Sequence, residues 1–209
     1  MAKQTIIVNF KTYKQGKPAI NLAKEIQKVS KNIIVAVQDS DVCEIKKSTK
    51  LKVFSQHVDP FLPGRCTGYI IPEAVKKDGA SGTLLNHSEH KLDFKTIKET
   101  IKRCKQIKLQ TAVFAASLKE AQKLKTLKPD YLIIEPPELV GGKISVSKAK
   151  PDLIKNTLKR LKYPFLVGAG IHSKEDIKIA LKLGAKGIVI SSAITQAKNP
   201  GKKLKELLS

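Results

Sequence analysis

Eight short apolar runs, spread along the whole chain and separated by stretches of helical periodicity, constrain the fold of this sequence most. They are Thr5–Asn9, Ile33–Gln38, Lys52–Gln56, Ser81–Leu85, Gln110–Ala115, Tyr131–Ile134, Phe165–Gly168 and Gly187–Ser191. A run such as Tyr131-Leu132-Ile133-Ile134 is apolar without alternation, which fits a strand buried on both faces in a parallel sheet. Between the runs, Ala19, Leu22, Ala23, Ile26 and Val29 share one helical face, and Phe94, Ile97, Ile101, Cys104 and Ile107 share another. Ser173, with Asp176 three residues later, has the form of a capping box opening a helix whose Ile177, Ala180 and Leu181 turn inward. Each strand-plus-helix unit averages about 26 residues, near the compact limit for an eight-fold barrel. No linker or shift in composition divides the chain, so residues 1–209 are expected to form one α/β domain, a closed (β/α)8 barrel. The alternative on pattern alone is an open sheet with fewer strands.

The charge is unusual, with 40 Lys and Arg against 18 Asp and Glu, or +22. Such a field attracts nucleic acid, acidic membranes or anionic metabolites without bearing on the fold. Lys24, Lys28, Lys95, Lys98, Lys102, Lys105, Lys178 and Lys182 fall between apolar positions at helical spacing, as on solvated helix faces. Aromatic residues are only 5% of the chain and do not interleave with the basic ones in the manner of single-strand binders. Nucleic acid is therefore expected only through non-specific attraction, and a polyanion-binding scaffold is the non-enzymatic alternative. Cys43, Cys66 and Cys104 form no Cys-x-x-Cys pair, so neither a disulfide framework nor a zinc site is expected, and a reduced, cytoplasmic setting fits. No apolar run approaches the length of a signal or membrane segment, so no membrane partner is expected.

In a parallel barrel the residues at the C-terminal strand ends converge on one mouth, where the chemistry sits. Asn9 and Lys11 follow the first strand, His87 and Glu89 the fourth, and Glu135 the sixth. An amide, an ammonium, an imidazole and a carboxylate thus meet, and a carboxylate there is a candidate general base. Glu135 is followed by Pro136-Pro137-Glu138-Leu139-Val140-Gly141-Gly142, stiff at its start and free at its far side, which suits a loop closing over a ligand. The alternative for that segment alone is a surface turn. Gly168-Ala169-Gly170 follows the seventh strand and Ser191-Ser192-Ala193 the eighth, small-residue turns placed where barrels seat a phosphate. A further short helix is expected from residue 194 on.

The segments Val8-Asn9-Phe10-Lys11-Thr12-Tyr13, Gln56-His57-Val58-Asp59-Pro60, Gly82-Thr83-Leu84-Leu85-Asn86-His87-Ser88-Glu89, Ile134-Glu135-Pro136-Pro137-Glu138-Leu139 and Gly168-Ala169-Gly170-Ile171 resemble the triosephosphate isomerase family in its short archaeal-type form. The resemblance implies an aldose-ketose isomerase that interconverts dihydroxyacetone phosphate and D-glyceraldehyde 3-phosphate through an enediolate, with no metal or organic cofactor. It implies Glu135 as the base, His87 as a neutral electrophile, Lys11 as the balancing charge, Asn9 as an orienting group and Glu89 as the partner of Lys11. Gly141, Gly170, Ser191 and Ser192 would bind the phosphate. Residues 57–68 resemble the family's protruding third loop, which implies a homo-oligomer, dimer or tetramer, with Thr67 reaching a neighbour's catalytic end. The chain departs from the family pattern at Gly142-Lys143 in the closing loop, at Ala193 and at His90, where the family usually carries an arginine of a structural ion pair. A different phosphate-binding barrel, acting on a phosphorylated sugar or an indole precursor, is the alternative within enzymes.

Overall fold

The computed structural model describes residues 4–136, 149, 151–168 and 170–209, with the side chains of Leu153 and Leu158 excepted. Eight parallel strands close on themselves in sequence order: β1 (Thr5–Asn9), β2 (Ile34–Val37), β3 (Lys52–Ser55), β4 (Gly82–Leu85), β5 (Gln110–Ala115), β6 (Tyr131–Ile134), β7 (Leu166–Val167) and β8 (Gly187–Ile190). The closing ladder runs from Thr5 beside Gly187 to Val8 beside Ile190, which removes the open-sheet alternative. Each strand lies within its expected run, trimmed by one residue at an end in several cases. β7 keeps only two residues, held by Ile133 and Ile134 on one side and Ile188 on the other.

The strands are largely apolar because both of their faces are buried, each against a different core. Ile7, Ile34, Ala36, Phe54, Leu84, Ala112, Phe114, Ile133, Leu166 and Val189 fill the barrel interior. The alternate positions, among them Ile6, Val8, Val35, Val37, Val53 and Leu85, pack outward against the helices. Interior volume sets one glycine: a Cβ on Gly82 would stand 2.5 Å from the Phe54 ring, so the phenyl group claims that space.

The helices turn the expected faces inward. In α1 (Gly16–Val29) Ala19, Leu22, Ala23 and Ile26 are buried; in α4 (Phe94–Gln106) Ile97, Ile101 and Cys104 are. Between them lie α2 (Asp39–Ser48) and α3 (Pro72–Lys77); α5 (Leu118–Leu124) and α6 (Pro151–Leu161) follow. α7 (Lys174–Lys182) opens on the expected capping box, with Asp176 N donating to Ser173 Oγ while the Asp176 carboxylate accepts from Ser173 N. Two helices close the chain, α8 (Ser192–Thr195) and α9 (Pro200–Leu208), the second being the short helix expected beyond residue 194. All eight lysines singled out on helix faces are exposed. Among the described residues no helix is long and apolar enough to cross a membrane.

Candidate active site

The interior parity of the strands carries functional groups to the mouth. Ile7 points inward, and so does Asn9 two residues on; Ile133 is followed in the same way by Glu135, Leu166 by Gly168, and Val189 by Ser191. Asn9, Lys11, His87, Glu135, Gly170, Ser191 and Ser192 line one cavity there. On β4 the alternation would send Asn86 inward after Leu84. Asn86 instead has φ +61°, and His87 becomes the cavity residue. Asparagine tolerates this left-handed turn better than most residues, and its amide is used to hold it. Asn86 Nδ2 donates to Phe114 O and to Glu120 Oε1, both at 2.8 Å, and Asn86 Oδ1 accepts from Leu92 N at 3.0 Å.

His87 and Glu135 touch. His87 Nδ1 accepts from Glu89 N at 3.1 Å, which places the ring proton on Nε2, 3.1 Å from Glu135 Oε1. Ser88 Oγ donates to the same carboxylate oxygen at 3.4 Å. Burial pushes the Glu135 carboxyl up to about 7, against the pull of the Lys11 charge. Burial and then the Lys11 charge push His87 down to about 4, so the imidazole is neutral at physiological pH. Lys11 reaches into the cavity and pairs through Nζ with Glu89 Oε1.

The small-residue turns complete the mouth. Gly170 has φ +64°, and the turn after it is tied down by Asp176 Oδ2, which accepts from His172 N and Ser173 N. Ser191 Oγ is buried without a hydrogen-bond partner among the described residues. Gly141 and, apart from Pro136, the expected closing loop from 136 to 143 lie outside the described residues, as does Ala169. Thr67 is exposed and does not line this cavity; within the stretch from 57 to 68 Phe61 and Leu62 are exposed, while Val58 is buried in the core.

This arrangement places a carboxyl raised toward neutrality against a neutral N–H donor, with an ammonium and two small-residue turns on the same cavity. The sequence profile of the family described as triosephosphate isomerase matches residues 4–207. The chain belongs to the triosephosphate isomerase family. It is 38% identical to the triosephosphate isomerase of Methanocaldococcus jannaschii over 97% of this chain and 98% of that protein. It is 39% identical to that of Saccharolobus solfataricus, over 100% of this chain and 96% of the relative, and 37% identical to that of Methanothermus fervidus, over 100% and 99%.

His90, one of the positions noted as a departure, packs its ring on His57, with centroids 4.3 Å apart, and His57 Nε2 meets Asp59 Oδ1 at 3.1 Å. Ala193 sits in the first turn of α8 with its neighbour Ser192 on the cavity. Several residues that shape the site were given no such role from the sequence. Tyr13 and His172 line the cavity, Glu120 anchors Asn86, Gln56 reaches Lys11, and Gly168, expected only as part of a phosphate turn, makes room for Glu135. The signal for Gln56 was present, since it stands directly after β3 as Glu135 does after β6.

Proposed function

We propose that the chain acts as a triosephosphate isomerase of glycolysis and gluconeogenesis, with residues 1–209 as one catalytic domain in the cytoplasm. Glu135 removes a proton from the carbon beside the carbonyl of dihydroxyacetone phosphate. The Nε2–H of His87 hydrogen-bonds to the carbonyl oxygen as negative charge develops there, and Lys11 balances the enediolate. The intermediate's terminal hydroxyl then gives up its proton and the former carbonyl oxygen gains one, relayed by His87 Nε2, while Glu135 returns its proton to the former carbonyl carbon, giving D-glyceraldehyde 3-phosphate. Asn9 orients the substrate, and the phosphate seats against Gly170, Ser191 and Ser192, with Gly141 closing over it. Carbon acids beside a carbonyl are weak, so a placed base and simultaneous oxyanion stabilisation are both needed, and remote phosphate binding energy supports their alignment. The observation that carries this reading is the 3.1 Å approach of a neutral His87 Nε2–H to Glu135 Oε1, the two groups between which a carbonyl and its neighbouring carbon must pass.

Residues 57–68 are proposed to enter a second copy of the chain, with Thr67 at the neighbour's site, in a dimer or tetramer. Support comes from Phe61, Leu62 and Tyr69, which are 39%, 65% and 54% exposed on the isolated chain. The three cysteines stand unpaired, in keeping with a reducing compartment. Glu135→Asp tests the central assignment. It withdraws the carboxylate by about a methylene and is expected to lower kcat roughly 100-fold or more with a modest change in KM. Turnover like wild type in a coupled assay would remove Glu135 from the role of base.

A further inference from the structure

Gln56 is the first residue beyond β3, and its side chain crosses the mouth of the barrel to the end of β1. Its Nε2 lies 2.8 Å from Lys11 O, 3.3 Å from Asn9 Oδ1 and 3.4 Å from Ala36 O. A carboxamide has two N–H donors, and Ala36 O already accepts from Phe10 N at 2.8 Å. Lys11 O and Asn9 Oδ1 are therefore the principal acceptors. The Gln56 backbone is itself anchored, its N donating to Val37 O at 3.0 Å.

Lys11 needs such a hold. Its φ of +48° is a left-handed conformation that a residue with a side chain keeps only where its surroundings enforce it. Asn9 Oδ1 fixes one end of the turn by accepting from Lys11 N at 3.0 Å, and Gln56 fixes the other by donating to Lys11 O. The same amide occupies Asn9 Oδ1 a second time, which leaves the NH2 end of Asn9 to serve the cavity. Glu89 secures the far end of the lysine through Nζ. Gln56 thus contacts both residues that present cationic or amide hydrogen to the substrate, while it does not itself line the cavity that holds Glu135.

We propose that Gln56 is a positioning residue for the isomerisation, acting through Lys11 and Asn9 to place the ammonium and the amide where the developing oxyanion requires them. The inference rests on the proposed roles of Lys11 and Asn9. Interactions that are stronger in the transition state are the ones a displaced lysine loses, so the effect falls more on an enediolate mimic than on the substrate.

Gln56→Met keeps the length of the side chain and removes both donors. It is expected to raise the Ki of 2-phosphoglycolate about tenfold or more and to lower kcat/KM for glyceraldehyde 3-phosphate by a similar factor. A purely structural role would instead shrink the active fraction, lowering kcat with KM and Ki unchanged, and that result overturns the inference. If Gln56→Met does not accumulate in soluble form, Gln56→Glu at pH 8, equal in shape and without a donor, is expected to give the same rise in Ki; an unchanged Ki overturns the inference there too. Lys11→Met separates the two levels of the argument. Wild-type turnover of Lys11→Met removes the assignment of Lys11 and the role of Gln56 with it. An inactive Lys11→Met beside a Gln56→Met with wild-type KM and Ki removes the role of Gln56 alone.

Discussion

Gly168→Ala should disable the enzyme while leaving the barrel intact. Gly168 N donates to Ile134 O at 3.0 Å, and a Cβ built on this residue would stand 2.5 Å from Glu135 Oε2, 3.2 Å from Cδ and 3.3 Å from Cβ of the same side chain. Non-bonded carbon contacts are comfortable from about 3.5 Å, so the carboxylate must retreat by roughly 1 Å. The backbone of Gly168 is not in the left-handed region, so alanine is not strained there for its own sake. What yields is the end of a side chain, cheap for the fold and expensive for the chemistry. A misplacement of about 1 Å at a reacting group costs about 100-fold in rate, equivalent to about 2.7 kcal/mol of barrier. In an assay that couples dihydroxyacetone phosphate formation to NADH oxidation, kcat should fall by that factor, with KM within a few-fold of wild type and far-ultraviolet dichroism unchanged. Glu135→Asp withdraws the carboxylate from the added methyl group, so the losses in the double variant should be less than additive. A Gly168→Ala enzyme with kcat within threefold of wild type would refute the reasoning, because the base would then tolerate the displacement that the geometry imposes.

The pH dependence has a defined sign for each partner of the central pair. With Glu135 at about 7, kcat/KM should decline as pH falls through that region, and His87, held near 4, should show no ring titration between pH 5 and 8 by NMR; a titration near its ordinary value would contradict the burial argument. For stability, the raised Glu135 carboxyl favours the folded state below its ordinary 4.5 and loses that contribution as pH rises through about 7, so Glu135→Gln should melt higher than wild type at pH 8 and the gain should vanish near pH 4. The lowered His87 works the other way, its contribution being present above 6.5 and lost as pH falls through about 4. Thr67→Lys, which puts a cation on the tip proposed to enter a neighbour already rich in lysine, should lower the assembled mass by light scattering and reduce activity on dilution; unchanged mass and activity would remove residues 57–68 from the interface.

The barrel was legible because a strand buried on two faces leaves a contiguous apolar run, and eight such runs at even spacing admit few arrangements. Their ends were less so. Ile33, Gln38, Gln56 and Ser191 fall just outside the strands although each continues an expected run. Gln38, Gln56 and Ser191 are only half-buried, while Ile33, fully buried just ahead of β2, shows that burial can extend beyond the ladder. The short β7 shows the same effect, since Phe165 and Gly168 are buried without being paired as strand.

The site was legible by a different rule, that functional groups gather at the C-terminal ends of strands, and the rule works only as far as side-chain parity holds. It finds Asn9 and Glu135, which continue the inward series of Ile7 and Ile133. It also names His87, as a residue following the fourth strand, but not the left-handed turn at Asn86 that brings His87 to the cavity, which depends on acceptors at Phe114 and Glu120 far away in sequence. Nor can residue type reveal the titration of the pair. Burial disfavours charge of either sign, so the same enclosure raises a carboxyl and lowers an imidazole, while the Lys11 charge opposes the first shift and reinforces the second. One desolvated mouth beside a fixed cation thus holds a carboxyl near neutrality next to an imidazole that stays uncharged. It follows that moving Lys11, by whatever means, should perturb both partners at once, which is why the hold of Gln56 on its backbone matters as much as the ion pair at its tip.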